Sequence, residues 1–199
     1  MCDIENCNSQ GSDRPTVSAS DRCLFMRGLM ALPLATSLAD VDLAHAEASK
    51  GMMITESTSA GKDVSAYFAK ADNAAAPVVI LIHEWWGLND NIKAMAEDIR
   101  VTGFHALAID LFNGSVATDR DQARAQTRAV KGDEAGATIS HWVHWAKAAG
   151  NGKTATLGWC FGGGWSFNAA LANDLDAAVI YYGRVTADTD ELAKLQTPL

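Results

Sequence analysis

A chain of 199 residues, 48% hydrophobic and 20% charged, can bury one sizeable core. Its formal net charge of −8, with no cluster of Lys or Arg, argues against nucleic acid and anionic membrane surfaces as partners. Cys2, Cys7 and Cys23 lie near the N-terminus and only Cys160 lies in the body, which excludes a disulfide scaffold; no metal ligand follows Cys2 and Cys7 at zinc spacing, and no cofactor is expected.

Residues 1–46 read as a leader: a polar start, then Arg22 to Gly28, then an apolar run from Leu29 to Leu38. Ala44-His45-Ala46 has the small-x-small form of a signal-peptidase site, so the leader predicts export to the periplasm or beyond. Ser20 to Met26 is similar to a twin-arginine motif in which Cys23 replaces one arginine; the alternative is a cytoplasmic protein with an N-terminal extension. Pro33, Asp40 and Asp42 interrupt the apolar run, so no stable membrane insertion is expected.

Residues 47–199 then read as one domain. Met52 to Glu56 and Val64 to Lys70 predict an edge hairpin, and the continuous apolar run Val78 to Ile82 predicts a strand covered on both faces. A helix capped by Asn89 or Asp90 and ended by Gly103 follows, then a strand from His105 to Leu111. Thr118 caps a polar helix through Arg128, and another helix runs from Ala135 to Ala149. A strand from Lys153 to Trp159, a small-residue helix from Gly162 to Ala172, a strand from Ala177 to Tyr182 and a helix from Ala187 to Leu195 complete the order. Thr197 to Leu199 look like the opening of one more strand. Alternating strands and helices predict an α/β fold with a doubly wound, mostly parallel sheet.

The chemistry centres on Gly158-Trp159-Cys160-Phe161-Gly162-Gly163, between a predicted strand and a helix. This is the G-x-S-x-G elbow with Cys in the serine position: a strand turns sharply into a helix and the nucleophile stands exposed at the turn. Glycines flank it because a Cβ there would meet the neighbouring backbone. The helix N-terminus presents free N–H groups and partial positive charge to the sulfur. A buried, inert thiol is the plainer reading, and the strand-to-helix context argues against it. The second centre is His83-Glu84-Trp85-Trp86-Gly87, after the first buried strand. It fails the zinc-protease pattern H-E-x-x-H, since Gly87 stands where the second His belongs. Gly150 to Thr154 fails as a phosphate loop, because Lys147 replaces the leading Gly and the segment precedes a strand. At a strand's carboxyl end the His83 loop falls where ligands bind, which makes Trp85 N–H and Phe161 N–H the oxyanion donors. Glu84 becomes the partner of the thiol, with Trp85 and Trp86 shielding it from water.

His83 to Leu88, Ala108 to Phe112, Gly158 to Gly163 and Val179 to Gly183 together resemble the dienelactone hydrolase family (carboxymethylenebutenolidase-like) of the α/β-hydrolase superfamily, from Val78 to Leu199. The resemblance implies a hydrolase with a Cys-His-Asp triad that cleaves small lactones or esters through a thiol-acyl intermediate; the expected partner is that small-molecule substrate, and the expected state is a monomer. It implies that Glu84 contacts the resting thiol and that arginines grip a substrate carboxylate; Arg120, Arg124 and Arg128 lie in the corresponding region, and Trp86 is expected to line the substrate pocket. All five histidines (His45, His83, His105, His141, His144) precede Cys160, whereas the fold orders nucleophile, acid, histidine. Asp188 and Asp190 follow Cys160 but precede the strand after which the acid belongs. The expectation is therefore a domain lacking the final strands and helix, with the Asp and His missing, the last strand left as an open edge, and activity and stability impaired. The alternative is a non-catalytic binder or degraded fragment.

Overall fold

Short runs of Val, Ile, Leu and Ala bounded by turn residues make the strands, and Ala-rich stretches between them make the helices. In the computed structural model, which describes residues 50–186 and 188–199, these are β1 (Met52–Ser57), β2 (Asp63–Ala69), β3 (Val78–Ile82), α1 (Asp90–Val101) and β4 (His105–Ile109). They continue as α2 (Arg120–Ala129), α3 (Gly132–Ala149), β5 (Thr154–Trp159), α4 (Phe161–Ala172), β6 (Ala177–Tyr181) and α5 (Thr189–Leu192). The expected leader, residues 1–46 with Cys2, Cys7, Cys23 and the export-like motif, lies outside the described residues.

The six strands form one sheet in the order β1-β2-β4-β3-β5-β6. The hairpin of β1 and β2 is antiparallel and joins β4 antiparallel, while β4, β3, β5 and β6 run parallel. From β3 the chain moves first to β4 on one side and later to β5 on the other. The crevice beyond the carboxyl ends of β3 and β5 is therefore the switch point where open α/β sheets bind ligands.

Side-chain alternation splits the core in two. Ile80, Ile82, Leu107 and Ile109 pack with Ile139, Trp142 and Val143 of α3 and Ala169 and Ala170 of α4. Leu81, Ala106 and Ala108 point the other way, onto Ile92, Met95 and Ala96 of α1. A sheet buried on both faces explains the unbroken apolar runs of β3 and β4.

Three helix boundaries differ from the sequence expectation. Asp119, and not Thr118, caps α2, its carboxylate accepting from Asp121 N and Gln122 N at 2.9 Å. α3 begins at Gly132 without a side-chain cap. α5 spans Thr189–Leu192 and not Ala187 to Leu195: Asp188 caps its start, and bonds from Lys194 N to Glu191 O and Leu195 N to Leu192 O tighten its exit into a 3-10-like turn. Among the described residues, β6 ends the sheet on the side opposite β1. Residues 197–199 form no strand, yet Pro198 O accepts from Ala178 N at 2.9 Å and the Thr197 hydroxyl donates to Ala170 O. Among the described residues, no helix is long and apolar enough to cross a membrane and no His/Cys/Asp/Glu group is placed to hold a metal ion.

Candidate active site

β5 ends at Trp159 and α4 starts at Phe161, so Cys160 alone makes the turn, at φ 52° and ψ −115°. Only glycine enters that region freely, and a residue with a Cβ stays there only if its surroundings enforce it. The enforcement is backbone contact. A Cβ on Gly158 would strike the backbone of Gly162, and one on Gly162 the carbonyls of Ile82 and His83. A Cβ on Gly163 would come within 2.8 Å of Gly183 Cα and Tyr181 O. The first turn of α4 is thus pressed between the carboxyl ends of β3 and β6. Cys160 N donates to Tyr181 O at 3.0 Å, and its half-buried thiol is free.

The loop after β3 is held by His83, which is fully buried. Leu111 N donates to His83 Nε2 at 3.1 Å, so the imidazole proton sits on Nδ1, which donates to Glu84 O at 2.6 Å. Burial holds this imidazole below the ordinary histidine value, outweighing the Glu84 O hydrogen bond and the Asp110 charge, which act the other way. Asp110 lies 3.9 Å from Nε2, and its carboxylate accepts from Phe112 N at 2.8 Å and from Gly114 N. The His83 ring is nearly parallel to the Phe161 ring at 6.0 Å and tilted on Phe112 at 4.6 Å.

Glu84 is partly exposed, and its Oε1 accepts from the Tyr182 hydroxyl at 2.6 Å. That hydrogen bond, then burial, then the charges of Glu84 and Cys160, push the Tyr182 phenol up to about 12. Tyr182 therefore stays a donor at neutral pH, with both Glu84 and Cys160 close enough to act on it. Tyr182 has a positive φ of 40°, next to Gly183, whose Cβ would meet the Gly163 backbone.

Trp85 and Trp86 meet edge to face at 5.2 Å. Among the described residues, neither Trp85 N–H nor Phe161 N–H has a hydrogen-bond acceptor. Gln126 on α2 donates to Trp85 O at 2.7 Å and accepts from the Ser115 hydroxyl at 3.1 Å. Arg120, Arg124 and Arg128 lie on the same helix and are exposed; Arg124 approaches Asp121 at 3.6 Å. The cleft lined by Asn113, Gln126, Val130, Lys131, Glu134 and Thr138 includes neither Cys160 nor either tryptophan.

Sequence reasoning assigned no role to Tyr182, Gln126 or His83. Tyr182 stood inside a motif, Val179 to Gly183, that was legible. Gln126 carried no signal within a polar helix. His105 is structural: Ala71 N donates to its Nδ1 at 3.0 Å, leaving Nε2 to donate to Ala74 O at 3.3 Å. His141 and His144 lie on α3.

A strained elbow thiol beside an amide-bearing loop, at the switch point of a mostly parallel sheet, is the arrangement of the α/β-hydrolase fold. The chain belongs to the dienelactone hydrolase family, whose model matches residues 64–199. Carboxymethylenebutenolidase 1 of Cupriavidus pinatubonensis is 30% identical over 146 residues, covering 68% of this chain and 62% of that protein. The chain thus spans 62% of the length of that curated relative. Two solved structures share the fold. A dienelactone hydrolase-like promiscuous phosphotriesterase from metagenomic libraries matches with a TM-score of 0.64 at 22% identity, covering 75% of this chain and 66% of its own. A dienelactone hydrolase from Anabaena variabilis matches with a TM-score of 0.55 at 19% identity, covering 74% and 71%.

Proposed function

We propose that this chain cleaves small lactones or esters through an acyl thioester on Cys160. The observation that carries the reading is the backbone of Cys160, a thiol held at a strained turn that the surrounding glycines enforce. The sulfur attacks the substrate carbonyl carbon as its proton passes to Glu84. The S–C bond forms, and the carbonyl π pair moves onto oxygen between the N–H groups of Trp85 and Phe161. Collapse breaks the ester C–O bond, the departing oxygen takes up a proton, and water then hydrolyses the thioester. Tyr182 occupies Glu84 Oε1 and leaves Oε2 to the thiol proton. Trp86 and the arginines of α2, Arg120 and Arg124, would line the substrate side. The family and the carboxymethylenebutenolidase relative support the lactone class, and the leader supports work outside the cytoplasm.

Among the described residues, His83 and His105 have both ring nitrogens engaged, and the group read as taking the Cys160 proton is Glu84, a poorer match than imidazole at neutral pH. Deacylation should be slower than acylation. The full chain incubated with p-nitrophenyl acetate should show a burst of p-nitrophenol and an acetyl group that peptide mapping places on Cys160. An unmodified Cys160 would refute the reading and favour a pocket that binds without chemistry.

A further inference from the structure

We infer that His83 is a positioning residue that aims the Trp85 N–H at the developing oxyanion; this rests on the thiol-acyl reading above. A trans peptide holds its C=O and N–H in opposite directions, so fixing one aims the other. The peptide between Glu84 and Trp85 is fixed from its carbonyl side: Glu84 O accepts from His83 Nδ1 at 2.6 Å and from Gly87 N at 3.2 Å. Its N–H therefore points away from the imidazole, and it has no acceptor among the described residues. His83 can donate from Nδ1 only because Leu111 N occupies Nε2 at 3.1 Å, which fixes the tautomer. The same ring lies along Phe161, whose N–H is the second donor, so one buried side chain touches both halves of the oxyanion site. Gly162 presses on the carbonyls of Ile82 and His83, which keeps the elbow and this loop in fixed register.

The test separates oxyanion stabilisation from thiol reactivity. Acylation of Cys160 by p-nitrophenyl acetate builds an oxyanion, whereas alkylation by iodoacetamide does not. The ratio of the two rates, followed on the Cys160 peptide of the full chain, reads the donors alone. His83→Asn places an amide N–H near the Nδ1 position and keeps the bond to Glu84 O; His83→Gln reaches the Nε2 position and serves Leu111 N only. The ratio should stay within about threefold of wild type in H83N and fall about tenfold or more in H83Q, since losing an oxyanion donor outright costs about 10²–10³. An unchanged ratio in H83Q, or an equal fall in H83N, overturns the inference, whereas wild-type protein that is alkylated but never acylated overturns the thiol-acyl reading itself. Nitrogen-15 NMR of the wild-type imidazole needs no variant to fold: a proton on Nδ1 is expected, and a proton on Nε2 would overturn the assignment.

Discussion

At Cys160 the backbone, φ 52° and ψ −115°, holds a Cβ where glycine sits without strain, at a cost of about 1–3 kcal/mol for such a residue. Cys160→Ala keeps the Cβ and the strain; Cys160→Gly releases it. The glycine variant should be the more stable of the two by about 1 kcal/mol in urea melts, reversing the usual order of alanine over glycine. A more stable alanine variant would mean that the elbow is unstrained. The elbow was legible in the sequence because glycine spacing records where backbones must touch. The pairing of Tyr182 with Glu84, 98 residues apart, was not, because no local pattern marks a contact made when β6 comes to lie beside β5.

α1 shows how far an element can be read from its own residues. Its cap was legible to within one residue, Asn89 or Asp90: Asn89 accepts from Ile92 N at 3.2 Å, and Asn89→Ala should cost about 1 kcal/mol in the same melts. Its apolar stripe, with Ile92, Met95 and Ala96 buried, was legible from helical spacing. Glu97 was not. A charged residue in a helix reads as a solvated one, yet Glu97 is 1% exposed, accepting from the Tyr67 hydroxyl at 2.7 Å and from Arg100 Nε at 2.6 Å. Tyr67 in turn accepts from Gly51 N at 2.6 Å, so this carboxylate ties α1 to β2 and to the entry of β1. Glu97→Ala leaves the buried Tyr67 hydroxyl without its acceptor and should cost about 2–3 kcal/mol, above the cap variant. Equal losses in the two variants would show that the network contributes little. The shortened α5 has the opposite origin: its cap residue, Asp188, was mistaken for helix interior, because Asp serves in either place.

For the whole molecule, the buried His83 links stability to pH. Its folded-state value lies below the ordinary one, so the folded protein resists a proton that the unfolded chain accepts. Above about 6.5 neither state carries that proton; below it only the unfolded chain does, and stability falls with pH by at most about 1.4 kcal/mol per unit until the folded-state value is reached. Melting temperatures between about pH 7.5 and pH 5 should drop more steeply in wild type than in His83→Asn, and equal slopes would assign the acid sensitivity to other groups. The strand order carries a kinetic consequence. β3 pairs with β4 close by, Val78 opposite His105, but also with β5 much further along, Val78 opposite Thr154, and β6 then adds to β5. Closing the longer loop costs more chain entropy, so the β3–β5 pairing is expected to form after the β3–β4 pairing. The turn at Cys160 depends on that pairing, and the amide it donates to Tyr181 O depends on β6. On that order the Cys160 turn is assembled from contacts made after the hairpin, β3 and β4 have paired, and a partly folded chain would carry a thiol without an elbow.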